Sequence, residues 1–441
     1  MTPDFKRVFA FVVVISTAAC ASSARLPVEA GIGVDPAIPA PATSPVPLVK
    51  VATAKGWAAG ESPMPTNGTT VSAFASGFEH PRWLYVLPNG DVLVAETNAP
   101  PRPDDNKGVK GWFFKRFQKK AGGAVPSANR ITLLRDTDGD GVAEVRSEFL
   151  SGLNSPFGMT LVDDTLYVAN TDAIVAFPYT DGQQRIESAG AKLVDLPAGT
   201  LNHHWTKNVI ASPDGQKLYV AVGSNSNVAE HGIDKEAGRA AIWEVDRRTG
   251  AHRIFASGLR NPVGLAWEPE RDVLWVTVNE SDELGSDLVP DYMTSVRDGG
   301  FYGWPYSYFG RHEDSRVKPT RRDLVAKAIV PDYALGPHTA SLGVAYTPGG
   351  ALGGRFGRGM FVAQHGSWNR YPRSGYKVIF VPFADGMPTG KAVDVMTGFL
   401  DESDGDARGR PVGVAIDRHG ALLVADDVGN VIWRVTSATS R

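Results

Sequence analysis

Apolar positions in this chain come in short bursts, and the bursts recur. After His80-Pro81, the string LYVLPNGDVLVAET sets two apolar runs on either side of Pro-Asn-Gly. That pattern predicts two strands joined by a tight turn, because Asn-Gly readily takes the positive φ a short hairpin needs. Five related strings follow. They are MTLVDDTLYVANT after Pro156-Phe157-Gly158, VIASPDGQKLYVAVG after Lys207-Asn208, and LAWEPERDVLWVTVN after Pro262-Val263-Gly264. The last two are VAYTPGG to GMFVAQHG after Leu342-Gly343, and VAIDRHGALLVADD after Pro411-Val412-Gly413. Further strand-like runs come after the copies, such as AIVAFPY, AIWEVDR, YKVIFVPF and NVIWRV. Each unit therefore supplies about four strands, the content of one propeller blade. The recurrence predicts an all-β fold, a six-bladed β-propeller of four-stranded blades.

Composition agrees with this reading. A length of 441 residues exceeds one ordinary compact core, unless the fold is a barrel or a repeat array. Its 48 glycines and 31 prolines suit many turns between short strands. The net charge of -3 points to no nucleic-acid partner.

The N-terminus has a different character. Lys6 and Arg7 precede an apolar run from Val8 to Ile15, then Ser16-Thr17-Ala18-Ala19-Cys20. A basic start, a short apolar stretch and small residues describe a secretory signal over 1–19. Small residues before the single cysteine resemble a bacterial lipoprotein signal, which implies acylation of Cys20. Such a protein is exported and lipid-anchored on the periplasmic side, at the outer membrane if the cell is Gram-negative, since Ala21 follows the cysteine. Residues 20–65 are rich in Ala, Pro and Ser without strand or helix period, and read as a flexible tether. The propeller domain is expected over 66–441. Residues 101–125 form a basic, aromatic insertion that fits either a surface helix or a loop over the mouth.

Propellers carry function on loops at one end of the central channel. Polar residues flanking the inner strands are therefore the candidates. His203-His204 precedes the third copy, and a histidine there can act as a general base near neutral pH. Arg260-Asn261 opens the fourth copy and offers a fork of donors to a carboxylate. Arg408-Gly409-Arg410 opens the sixth; on an extended strand both arginines would point the same way and hold a small polyanion. Asn279, Glu280 and Ser281 begin an oxygen-rich loop suited to Ca²⁺ or simply to solvent. Asp136, Asp138 and Asp140 alternate like the start of a calcium loop, but Ser147 stands where a twelfth-position glutamate would be; Glu144 or Glu148 can substitute. His365 and Arg370, in HGSWNR, are placed to line the mouth.

At these residues the chain resembles a known family. GLRNPVGLAW, NESDELGSD, GGFYGWPYSYFG, HGSWNR, GYKVIFVPF and GRPVGVAI with LLVADD are similar to sorbosone dehydrogenase-like proteins. These are relatives of the soluble glucose and aldose sugar dehydrogenases that use pyrroloquinoline quinone (PQQ). The resemblance spans about 71–437. It implies PQQ and Ca²⁺ as cofactors, a sugar substrate, and an external electron acceptor such as a quinone or cytochrome. It implies His204 as the base and Arg260 at the reacting carbonyl. It implies PQQ contacts from Arg260, Asn261, Thr339, Arg408 and Arg410, with Asn279, Glu280 and Ser281 at a cofactor-side Ca²⁺. For a family lysine on blade five, Arg370 and Lys377 are the candidates. Ser224 stands where the glucose-oxidising branch has an aspartate supporting the histidine, which leaves the partner of His204 open and puts glucose in doubt. Two other readings compete: a calcium-dependent lactonase-type hydrolase on the same scaffold, and a non-catalytic secreted propeller that binds glycan or protein.

Overall fold

The computed structural model describes residues 23–43, 49–101 and 116–438. The expected signal, Cys20 and residues 102–115 of the insertion lie outside them. Six sheets of antiparallel strands form the blades. Their innermost strands are Pro81–Val86, Met159–Val162, Lys207–Ala211, Asn261–Glu268, Ser341–Pro348 and Pro411–Ile416. These are the six recurring strings, in order. In each blade the chain then steps outward by hairpins, as in Val92–Glu96, Arg130–Arg135 and Val145–Leu150 of blade one.

The sixth blade is built from both ends of the domain. Val431–Ser437 pairs antiparallel with Thr69–Ser76, so the first long strand completes the last blade. Apolar side chains alternate along the strands and pack between neighbouring blades. Trp83, Phe149 and Phe157, for example, share one cluster between blades one and two. Around the axis the backbones themselves touch. A Cβ on Gly264 would sit 2.4 Å from the Leu342 carbonyl, and one on Gly343 would sit 2.3 Å from that of Val412. The glycines of four of the six units, Gly158, Gly264, Gly343 and Gly413, are thus a packing requirement.

The described part of the expected tether is not a tether. Ile32–Gly33 pairs with Ala334 and Leu335 on the outer edge of blade four, and Met64–Pro65 pairs with Thr397 and Met396 on blade five. Between them, Ala42 N–H donates to Leu284, Lys50 N–H to Trp368 and Ala54 N–H to Lys120. Val51 and Ala52 are buried. The composition suggested disorder, but the segment finds partners for its backbone on the propeller surface. Most of these partners lie in loops at the end where the inner strands begin. The described part of the insertion, with a short helical turn ending at Lys120, lies on that same face. Among the described residues no helix is long and apolar enough to cross a membrane.

Candidate active site

The mouth is the end of the channel where inner strands start and second strands stop. Register brings these ends side by side: Asn261 opposite Asn279, Ser341 opposite Gln364, Pro411 opposite Asp426. Polar residues crowd there because no apolar neighbour covers them. Several adopt left-handed backbone, among them His80 with φ 60°, Glu283 with φ 70° and His338 with φ 57°. That conformation costs about 1 kcal/mol or more in a non-glycine residue and tends to cluster at functional sites.

His204 lies on the loop before blade three. Its Nδ1 is 2.8 Å from the carbonyl oxygen of Ser224 and 3.0 Å from Ser224 Oγ. Ser224 Oγ itself donates to the Ser226 carbonyl. Nδ1 therefore carries the proton, donates to the Ser224 carbonyl, and leaves Nε2 as the basic nitrogen. This is the orienting partner that the sequence left open; it is a backbone group, so no side-chain pattern announces it. Lys207 supports the same loop from beneath. Fully buried, its Nζ donates to the carbonyls of Trp205 at 3.2 Å and His204 at 3.4 Å. Burial, aided by nearby Arg239, pushes its pKa well below the usual lysine range. Asn261 meets His204 across Gly223, where an added Cβ would lie 2.4 Å from Asn261 Oδ1 and 2.5 Å from His204 Cβ.

Arg260 is buried and saturated. Nη2 donates to Asp282 at 3.0 Å, Nη1 to the Glu280 carbonyl at 2.6 Å, and Nε to the Asn227 carbonyl at 3.3 Å. Burial raises the Asp282 carboxyl, but Arg260, His338 and Asn369 outweigh it and hold the pKa at about 2. Glu280 lacks such a partner in direct contact, and burial pushes it up to about 7. Thr339 bonds Ser341 Oγ at 2.9 Å and Asp291 at 3.2 Å, deep in the same network. Asn279, Glu280 and Ser281, the expected Ca²⁺ site, lie within this network. The carbonyls of Asn279 and Glu280 already accept from the Arg260 guanidinium, whose charge opposes a dication there.

Blades five, six and one meet at Asp427. This carboxylate accepts from Arg82 Nη1 at 2.6 Å and His365 Nε2 at 2.9 Å, with His80 Nε2 at 3.6 Å. Burial opposes its ionisation, yet His365, His80 and Arg82 hold its pKa far below the usual range. Burial lowers His365 to about 4. Arg410 lies alongside, its Nη1 3.3 Å from the His365 carbonyl and its guanidinium 4.9 Å above the Tyr376 ring. Its Nε and Nη2 are buried without a hydrogen-bond partner, as are Arg82 Nε and Asn261 Oδ1. Buried polar atoms are rarely left this way, and orphans gathered at one mouth suit a ligand that would satisfy them.

Three expected cofactor contacts fall elsewhere. Arg408 faces outward and pairs with Asp401 and Asp404, because the strand begins only at Pro411 and the alternation assumed for 408–410 does not apply. Lys377 points to the blade edge and pairs with Asp394. Arg370 is buried, but its Nη2 donates to the Leu26 carbonyl and its Nη1 to that of Pro372, so it clamps the N-terminal segment. On the opposite face, Asp136, Asp138 and Asp140 do gather, and Glu144 joins them with one oxygen from each within 4.8 Å.

A family model described as TrAA12-like matches residues 63–293 and 316–438. The chain belongs to the TrAA12-like family. A PQQ-dependent pyranose dehydrogenase of Coprinopsis cinerea is 27% identical over 222 residues, 41% of this chain and 30% of that protein. The holo PQQ domain of the Coprinopsis pyranose dehydrogenase superposes with a TM-score of 0.68 at 20% identity, covering 88% of this chain and all of that one. A calcium structure of the Trichoderma reesei family AA12 enzyme gives 0.69 at 17% identity, covering 88% and 99%. These likenesses agree with the family resemblance read from the sequence. The match begins at 63, so the docked residues 23–43 and 49–62 lie outside the family core.

The sequence reading singled out neither Asp427, Arg82 nor Lys207, and took Asp282 only as one member of the oxygen-rich loop after Asn279. A signal for the two acids was present. Each acid follows the second strand of its copy, the position that faces the mouth.

Proposed function

We propose that this chain is a PQQ-dependent dehydrogenase that oxidises an aldose or sorbosone-like sugar at the propeller mouth. The observation that carries the reading is Arg410, whose buried Nε and Nη2 have no partner among the described residues. A planar, carboxylated quinone would satisfy such donors, with Arg410 holding a carboxylate and Asn261 an adjacent polar edge. The solved relatives named for PQQ share this fold. When bound, the quinone supplies the two-electron acceptor for the hydride.

The residues of the chain have separate tasks. His204, its tautomer fixed by the Ser224 carbonyl, takes the hydroxyl proton at Nε2. Lys207 holds the loop that presents it. Calcium belongs to the reading at Asp136, Asp138, Asp140 and Glu144, as a structural ion far from the mouth. Electrons then pass to an external quinone or cytochrome. The lipoprotein-like signal supports export and a lipid anchor at Cys20 on the periplasmic side, and nothing in the charge balance suggests nucleic acid. The lactonase reading is disfavoured, because the mouth carboxylates Asp282 and Asp427 are committed to arginines and histidines.

The test is titration of metal-stripped protein with PQQ and Ca²⁺, followed by dye reduction with a panel of aldoses and sorbosone. PQQ-dependent reduction is expected. Absence of PQQ binding would return the chain to the binding-module reading. His204→Ala should lower kcat by roughly 10²–10⁴-fold and leave PQQ affinity unchanged; wild-type turnover would remove His204 as the base.

A further inference from the structure

We propose that the mouth of the propeller faces a lipid bilayer. The inference rests on the reading of Cys20 as a lipidation site and concerns what the docked N-terminal segment does to that anchor. A 45-residue flexible tether would have a root-mean-square span of roughly 35–40 Å and leave the propeller free to tumble. The structure instead pins the chain almost at once. Ala24 N–H donates to the Tyr371 carbonyl at 2.7 Å, and Arg25 N–H donates to Asp287 at 2.7 Å. Arg370 clamps the Leu26 carbonyl at 3.1 Å. Tyr371, Asp287 and Arg370 all sit on mouth loops of blades four and five. Cys20 is three residues before Ser23, a reach of at most roughly 11 Å for extended chain. A lipid there cannot swing round to another face.

The surface around this point is suited to a bilayer. Trp368 and Tyr371 are 39% and 49% exposed on one short loop. Lys50 Nζ lies 5.4 Å from the Tyr371 ring centroid, and Arg25 is exposed beside them. Amphipathic rings favour the headgroup region, and cationic side chains favour anionic headgroups. The opposite face exposes both signs, Asp138, Asp140, Asp163, Asp164 and Asp181 together with Arg248, Arg271 and Arg418. The electron acceptor in easiest reach of such a mouth is a lipid-soluble quinone, and sugar enters from the side.

The test uses the full chain isolated from membranes, with acylation of Cys20 verified by mass. Acylation blocks the native thiol, so a single new cysteine can carry a fluorophore. Lys50→Cys marks the mouth rim, and Arg248→Cys marks an opposite turn. Both proteins are placed in vesicles of phosphatidylethanolamine and phosphatidylglycerol that contain a doxyl-labelled lipid quencher. The label at 50 should be quenched at least fivefold more than the label at 248. Equal quenching, or stronger quenching at 248, overturns the orientation. An unacylated Cys20 overturns the anchor itself, and the mass separates this failure from the first. In an unlipidated Cys20→Ser chain, Trp368→Ser with Tyr371→Ser should weaken vesicle co-sedimentation about tenfold. Unchanged co-sedimentation would assign the aromatic pair to carbohydrate or protein instead and remove the rim from the proposal.

Discussion

Blades four and six present the same residue at the same place. Arg260 and Arg410 each stand just before an inner strand, each is 3% exposed, and each faces the mouth. Their surroundings differ. Arg260 spends its donors on Asp282 and on three backbone carbonyls. Arg410 touches two carbonyls weakly and keeps Nε and Nη2 in reserve. Position in a repeat therefore does not assign a role. The residues at the end of the second strand do: Glu280 and Asp282 close one guanidinium into the scaffold, while Asp426 takes only the backbone N–H of Arg410 and Asp427 takes Arg82 and His365, which leaves the second guanidinium available.

The comparison can be broken directly. Arg410→Met should weaken PQQ binding about a thousandfold by calorimetry, since it removes two charge-assisted bonds worth roughly 2 kcal/mol each. Its melting temperature should hardly move. Arg260→Met should do the reverse, costing about 3 kcal/mol or more in denaturant unfolding because Asp282 is left without its cation. Similar loss of PQQ affinity in both variants would erase the distinction.

A finer test uses Glu280, which neighbours Arg260 but is raised to about 7 by burial. Its folded pKa lies above its unfolded one, so the native state holds a proton that the unfolded state has released. Stability from this group is complete below about pH 4.5 and lost as pH rises through 7. Glu280→Gln should remove that loss, stabilising the protein at pH 8 by up to roughly 3 kcal/mol, less one backbone N–H that the amide nitrogen cannot accept. A stability profile from pH 4.5 to 8 that matches wild type would sink the assignment. The smallest effect belongs to Arg408→Ala. Its surface pairs with Asp401 and Asp404 contribute little to stability, and PQQ affinity should change less than twofold.

Much of the fold was legible because a propeller repeats its hydrophobic pattern six times. The mouth was legible as a set of positions, through His204, Arg260 and Arg410. What failed were arguments that assumed regular backbone or relied on composition. Arg408 and Arg410 share a face only if residues 408–410 are extended, and Gly409 N–H instead turns back to Phe399. Ala- and Pro-rich sequence reads as tether because composition does not reveal Trp57 donating to Asp426 across 369 positions. Nor could the sequence join His365 to Asp427, 62 residues away on the next blade.

The closure of the ring has a consequence for biosynthesis. Thr69–Ser76 leaves the ribosome long before its partner Val431–Ser437. Until then the opening strand has an unpaired edge and blade six does not exist. A chain that stops before Val431 would leave Thr69–Ser76 and Leu422–Asp426 with unpaired edges, the features that proteases and chaperones recognise. The seam thus works as a check: only a product that reaches Ser437 can hide the opening strand.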